Sequence, residues 1–61
     1  MKIIFNGSEE SILKILDNLP RDYAIISRDS SIQLSTDDGA KQVWIGDIVV
    51  IEGDSVTVIE N

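Results

Sequence analysis

Two short turn sequences restrict how the second half of this chain can pair its strands. Asp38-Gly39 and Gly53-Asp54 each stand between segments rich in branched aliphatic residues, which is the pattern of a β-hairpin with a two-residue turn. Such a turn fixes which residues lie opposite each other, and therefore which face of the sheet each side chain occupies. The faces of both hairpins can thus be predicted residue by residue.

The hairpin about Gly53-Asp54 is predicted to be apolar on both faces. One face pairs Ile51 with Val56 and Val49 with Val58. On the other face the opposed residues are Ile48 and Ile59, Val50 and Thr57, and Glu52 and Ser55. Because full burial of a large aliphatic side chain stabilises a fold by about 1.5–3 kcal/mol, we expect the second face to be covered, either by curling of the sheet or by another chain.

The hairpin about Asp38-Gly39 is predicted to have a type I′ turn, which matches the twist of the flanking strands. The resulting register collects large aliphatic residues on one face. Its opposed pairs are Leu34 and Val43, Ile32 and Ile45, Gln33 and Trp44, and Ser35 and Gln42. After this hairpin, Gly46-Asp47 predicts a bend or bulge before the strand that begins at Ile48.

The first half of the chain predicts a strand followed by one helix. A short aliphatic run over Lys2–Phe5 is typical of a strand, and Asn6 or Ser8 is suited to cap the helix that follows. Pro20 ends that helix, because proline cannot continue it. Apolar residues recur at the helical spacing i, i+3, i+4 and i+7, namely Ile12, Ile15, Leu16 and Leu19.

Together these segments predict a single α+β domain spanning residues 1–61. Two further strands, Tyr23–Arg28 and Ile32–Thr36, follow the helix. The expected architecture is a small curved antiparallel sheet of four to six strands, or a half-barrel, with one packed α-helix. The expected order of elements is β-α-β-β-β-β, with or without one more strand at the end.

Charge and composition narrow the classes of partner. Eleven acidic residues against five basic ones give a net charge of −6, which disfavours direct binding to nucleic acid or to an anionic membrane surface. No apolar run approaches the roughly 20 residues of a membrane span, so we expect a cytoplasmic protein. Cysteine and histidine are absent, which leaves a homodimer as the expected support for so small a core.

The sequence contains no recognisable catalytic motif. Without histidine or cysteine, a general base near neutral pH would have to be a perturbed carboxylate or lysine. Asp37-Asp38 is the one adjacent acidic pair outside the start of the helix, and its place in a predicted turn explains it without a metal ion. We therefore expect no enzyme activity, no metal and no other cofactor.

The residues favour a contact surface for a protein partner. Trp44 is expected on the face turned away from the helix, where tryptophan often anchors an interface, and a place in the core is the alternative. Ile26 is expected on that same face, as are Ile48, Val50 and Ile59 if the Gly46-Asp47 bend keeps the faces of the two hairpins aligned. Acidic turn residues complete the predicted site, either docking a basic partner or only keeping the turns solvated: Asp37, Asp38, Asp47, Glu52 and Asp54.

The segment Val43–Ile51 resembles a pattern found in many small phage and prophage proteins, where Gly-Asp leads into a strand of branched aliphatic residues. The layout of a strand, a helix that opens with Ser-Glu-Glu, a strand and two hairpins is also similar. Ile45 and Ile48 stand where those proteins usually have proline and an aromatic residue. The resemblance implies a non-enzymatic protein that binds and blocks a host protein, including host defence systems, and it transfers no functional residue.

Two functions are therefore expected. The first is a phage-type inhibitor that occludes a host protein in host takeover or anti-defence, with the acidic turns as a nucleic-acid mimic in one version. The second is a small structural or assembly module, as a homo-oligomer or a subunit of a larger particle, that pairs through an exposed strand edge. The salt dependence of the association rate distinguishes them. Salt should slow the association of an inhibitor that is attracted by charge, and it should leave the pairing of strand edges almost unchanged.

Overall fold

The computed structural model describes residues 1–61 as one helix and six strands. The elements are β1 (Lys2–Ile4), α1 (Glu9–Asn18), β2 (Ala24–Ser27), β3 (Ser31–Thr36), β4 (Gly39–Trp44), β5 (Ile48–Glu52) and β6 (Ser55–Ile59). The α+β class and the order of strand, helix and five strands confirm the prediction from the sequence. The strands are divided between two antiparallel sheets and do not close into a barrel.

Each sheet has three strands. Sheet A has the order β1-β5-β6, and sheet B has the order β2-β3-β4. The inner faces of both sheets and one face of the helix contribute to a single hydrophobic core. The structure thus has two sheets that share one core, where the sequence predicted a single curved sheet. The buried core residues are Ile3, Phe5, Ile15, Ile32, Leu34, Val43, Val49, Ile51 and Val56.

The helix begins at a capped serine and ends before a proline. The Ser8 hydroxyl oxygen accepts a hydrogen bond from the Ser11 N–H at 3.1 Å, and the Asn6 side-chain oxygen accepts one from the Ser8 N–H at 2.9 Å. Both predicted caps are thus used, one for the helix and one for the approach to it. At the other end, Leu19 is the C-cap residue, and Pro20 follows it.

The apolar stripe predicted for the helix is only partly buried. Ile15 is fully buried, and Ser11, one turn earlier, is buried with its hydroxyl donating to the Ser8 carbonyl oxygen at 2.8 Å. Leu16 remains 48% exposed, so this member of the predicted stripe lies outside the core. The helix meets the core through Ile15, and Ile12 and Leu19 are partly buried against the same core. Leu16 lies about 100° round the helix from Ile15.

The β5–β6 hairpin has the register that its turn predicts. All five predicted pairs are present, from Ile48 opposite Ile59 to Glu52 opposite Ser55. Gly53 has a φ of +59°, and no non-glycine residue has a positive φ. This sign pattern belongs to a type II′ turn with glycine first, which matches the twist of the two strands.

The β3–β4 hairpin turns one residue earlier than predicted. Its two-residue turn is Asp37-Asp38, so Thr36 lies opposite Gly39. The predicted type I′ turn would require a positive φ at Asp38, and no non-glycine residue has one. Instead, the Thr36 hydroxyl accepts from the Asp38 N–H and donates to the Gly39 carbonyl oxygen, each at 3.3 Å.

This earlier turn displaces the predicted pairs by two residues and leaves each side chain on its predicted face, because strand side chains alternate with a period of two. Ile32, Leu34 and Val43 accordingly remain fully buried. Ile45, predicted to lie opposite Ile32, falls beyond the end of β4 and is 55% exposed. The observed pairs are Ser31 and Trp44, Ile32 and Val43, Gln33 and Gln42, Leu34 and Lys41, and Ser35 and Ala40.

Replacing the helix cap should lower stability measurably. We expect Ser8→Ala to reduce the free energy of unfolding by about 1 kcal/mol, because the Ser11 N–H loses its acceptor. In a domain of this size that corresponds to a fall in Tm of roughly 4–8 °C, measurable by circular dichroism. Ser8→Asp is the matched control, since aspartate is an equally good cap, and a Tm that is the same for all three proteins would contradict the assignment.

Candidate interaction surface

The two sheets are joined directly by a tight turn at Trp44–Asp47, which we call the corner. The Asp47 N–H donates to the Trp44 carbonyl oxygen at 3.0 Å. Gly46, third of the four residues, has a φ of +99°. This geometry is a type II turn, which requires a positive φ at that position. The bend predicted at Gly46-Asp47 is therefore confirmed, and it turns the chain from sheet B into sheet A.

The Asp47 side chain holds this corner from inside. It is 5% exposed, and its two carboxylate oxygens accept hydrogen bonds from the Trp44 N–H at 3.0 Å and the Asn61 N–H at 3.1 Å. The corner backbone also binds Phe5, whose N–H donates to the Asp47 carbonyl oxygen and whose carbonyl oxygen accepts from the Gly46 N–H. Asp47 was predicted to contact a partner, but here it is buried and both of its oxygens are used within the chain.

The other acidic turns lie together at the opposite end of the molecule. The Lys41 ammonium group, near the start of β4, donates to the Val56 carbonyl oxygen, near the start of β6. The turns that precede these two strands therefore lie at the same end, which we call the acidic end. It carries four exposed carboxylates from the predicted site: Asp37, Asp38, Glu52 and Asp54.

The outer face of sheet A presents a row of three isoleucines. Ile4, Ile48 and Ile59 lie in register across all three strands, on the face turned away from the core. Ile4 is 62% exposed and Ile59 is 46% exposed, while Ile48 is half-buried between them. The next row is Lys2, Val50 and Thr57, and the last is Glu52 and Ser55.

Four predicted site residues thus share the outer face of sheet A: Ile48, Val50, Glu52 and Ile59. Part of this face forms a shallow depression of about 220 Å³. Lys2 and Glu52 lie at its polar margin, and Val50 and Ile59 supply its apolar wall. The surface can therefore accept an apolar group from a partner while offering one positive and one negative charge beside it.

Sequence reasoning missed Ile4, the most exposed member of the isoleucine row. The signal was present, because Ile3 and Ile4 are adjacent in a predicted strand and must face opposite sides. What could not be read from the sequence was the pairing of β1 with β5, since no short turn connects them. That pairing places Ile4 beside Ile48.

Trp44 lies on a different surface from the isoleucine row. It was predicted to share one face with Ile48, Val50 and Ile59, but it is in sheet B, and its neighbours on that outer face come from sheet B. Trp44 is 51% exposed and lies opposite Ser31, whose hydroxyl accepts from the Gln42 side chain at 3.1 Å. Ile26, 45% exposed, is on the same outer face, in the row of Gln33 and Gln42. The predicted single apolar face is therefore two faces.

Comparison with known protein families, curated proteins and solved structures finds no match to this chain. The carboxylates of the acidic end, like those elsewhere, form no group of three or more that could hold a metal ion. The helix α1, with ten residues, is too short to span a membrane.

Removing the Asp47 carboxylate should unfold the corner. We expect Asp47→Ala to lower the free energy of unfolding by about 3–6 kcal/mol, because two hydrogen bonds to a buried charge are lost, each worth roughly 1.5–3 kcal/mol. Asp47→Asn should cost about half as much, since one oxygen acceptor remains. The measurement is urea denaturation followed by the fluorescence of Trp44, the only tryptophan.

Asp37→Ala is the control for this experiment. Asp37 is an exposed carboxylate in a turn at the other end of the molecule, so its removal should change stability by no more than about 0.5 kcal/mol. Equal losses for Asp37→Ala and Asp47→Ala would show that the buried bonds do not hold the corner.

Proposed function

We propose that this chain is a protein-binding domain that acts by contact and not by catalysis, with the outer face of sheet A as its principal contact surface. The isoleucine row of Ile4, Ile48 and Ile59 carries this proposal. Single exposed aliphatic residues are ordinary, but three in register across a whole sheet form a contiguous apolar patch. Covering that patch would recover part of the roughly 1.5–3 kcal/mol that each buried side chain contributes.

The size of the face says how a partner must lie on it. The strands lie about 4.8 Å apart, and β1 has three residues while β5 and β6 have five, so the face covers at most about 14 Å by 16 Å. A stable interface covers about 800 Å² on each partner, so the partner must extend past the sheet. The corner is next to the isoleucine row along the chain, and its Trp44 and Ile45 are each about half exposed, which makes it the favoured extension.

The charges indicate the character of the partner. Glu52 lies on the same outer face as the isoleucine row, and Asp54 follows it in the turn at the acidic end. With a net charge of −6, the chain favours a partner that combines an apolar patch with a basic margin. Lys2 is the one basic residue on this face.

The mode of action we propose is occlusion of the partner. The resemblance of Val43–Ile51 to small phage and prophage proteins favours an inhibitor that covers a site on a host protein. The four carboxylates at the acidic end support the version in which the site normally binds nucleic acid, because a group of negative charges competes for the same basic surface. Such a protein would act in the cytoplasm of the host.

A second candidate function is an assembly module that joins copies or subunits through a strand edge. The observation in its favour is that β2 is paired with β3 on one side and is largely exposed. Both candidates involve protein contact, but they use different surfaces. They are therefore separable by substitution.

Polar substitution of the isoleucine row should remove partner binding. We expect the double variant Ile4→Ser with Ile59→Ser to bind at least tenfold more weakly, while its exposed positions leave the fold intact. Leu13→Ser is the matched control, because Leu13 is 50% exposed on the helix and outside the face. The three proteins are immobilised in parallel, proteins captured from the relevant cell extract are compared by mass spectrometry, and the affinity of each captured protein is then measured with purified material.

A partner that depends on the outer face is held by the wild type and by Leu13→Ser and is lost with the double variant. Capture that is equal for all three proteins would contradict the proposal.

Salt should slow association more than it speeds dissociation. If Glu52 and Asp54 guide the encounter, raising ionic strength from about 0.05 to 0.5 M shortens the Debye length to a few ångströms and lowers the association rate severalfold. Surface plasmon resonance with the purified partner measures both rates. An association rate independent of salt would favour the assembly module, in which backbone hydrogen bonds supply the contact.

A further inference from the structure

One of the four sheet edges, that of β2, is not covered by another part of the chain. The four edge strands are β1 and β6 in sheet A and β2 and β4 in sheet B. β1 carries Lys2 and faces the helix across a groove lined by residues of both elements. β4 and β6 approach each other, and Lys41 bridges them by donating to the Val56 carbonyl oxygen. Only β2 is without such cover.

The sequence of β2 lacks the usual protection of an edge. Natural edge strands discourage pairing with a charged side chain, a proline or a bulge. Ala24–Ser27 contains no charged residue and no proline, and each of its residues is regularly paired with β3. Three of the four residues are exposed, including Ile26 at 45%. An uncharged, regular and exposed strand of this kind is a template for another strand.

The hydrogen bonds of the hairpin show which backbone groups are free. The Arg28 N–H donates to the Ser31 carbonyl oxygen at 2.8 Å, so this pair belongs to the bonded set. Bonded and non-bonded pairs alternate along an antiparallel ladder, which puts Ile26 and Ala24 in the bonded set as well. The N–H and C=O groups of Ile25 and Ser27 therefore point away from β3, toward the open edge.

We infer that the open edge of β2 pairs with the β2 strand of a second copy of this chain. The two strands run antiparallel across a two-fold axis at Ile26, so that sheet B continues from one copy into the other as six strands. In this register Ile25 of each copy lies opposite Ser27 of the other, and the free groups form four backbone hydrogen bonds. The exposed Ile26 side chains meet at the axis.

The distribution of charge favours a second copy of this chain as the partner of β2. A net charge of −6 opposes self-association in general. Residues 20–30, however, hold two basic and two acidic residues and are neutral, so three basic and nine acidic residues account for the whole excess elsewhere. The same register places Arg28 of one copy beside Ala24 of the other, two residues from the oppositely charged Asp22.

A single cysteine at the axis tests this pairing. The natural chain has no cysteine, so Ile26→Cys carries the only thiol. Directly opposed residues of a non-bonded antiparallel pair have Cα atoms about 4.5 Å apart, which lies within the range of a disulfide. Ile59→Cys is the matched control, because Ile59 is a 46% exposed isoleucine on the outer face of sheet A. Both variants are oxidised under identical conditions, and the covalent dimer is measured over time by mass spectrometry.

We expect Ile26→Cys to form the covalent dimer at least ten times faster than Ile59→Cys. In the wild-type protein, the amide hydrogen exchange of Ile25 and Ser27 should slow as protein concentration rises, while exchange of the Ile26 amide, already bonded to β3, changes little. Equal cross-linking rates, faster cross-linking at Ile59, or exchange that is independent of concentration would overturn the inference. Because the isoleucine row is not altered in Ile26→Cys, failure here does not affect the test of partner binding.

Discussion

The buried Asp47 carboxylate is the interaction on which the arrangement of the two sheets depends. A charged group removed from water is tolerated only when hydrogen bonds replace those that water made, and both of its oxygens are so occupied. The bonds reach the last residue of β4 and the end of the chain at Asn61, while the backbone beside it binds Phe5. One side chain thus holds together segments that are far apart in sequence, and so sets how sheet A meets sheet B.

The parts of the fold that were predictable depend on local chemistry. The β5–β6 register follows from a glycine that alone accepts the positive φ of its turn, and the helix start follows from a serine cap. The β3–β4 turn was placed one residue late because the Thr36 hydroxyl competes with glycine in deciding where the chain reverses. The division into two sheets and the role of Asp47 depend on contacts between distant residues, which no short motif specifies. The turn of the β5–β6 hairpin was enough to predict that four residues share one face, namely Ile48, Val50, Glu52 and Ile59. Trp44 was wrongly placed on that face because the division into two sheets could not be predicted.

Small size explains why apolar surface remains after folding. A chain of this length buries only about 60% of the surface of its unfolded form. Nine apolar residues form the core, and eight large apolar side chains stay exposed. The exposed side chains on the strands fall into separate groups. Those of sheet A lie in a row, whereas Ile26 lies on a strand at the edge of sheet B. Because the two groups occupy different sheets, a second copy paired with β2 would leave the isoleucine row free to bind a different protein.

The strand β5 has a consequence for the chain before it folds. Its four consecutive branched aliphatic residues serve both the core and the outer face, so the segment 48–51 has no polar side. In an unfolded chain such a segment has the high β-propensity and the lack of charge that favour cross-β stacking, although it is shorter than the six or seven residues typical of an aggregation site. It is flanked directly by Asp47 and Glu52, which are gatekeeper charges of the kind that oppose stacking of identical segments. We therefore expect Asp47 and Glu52 to oppose aggregation of the unfolded chain, although in the folded protein Asp47 is buried and only Glu52 lies on the surface.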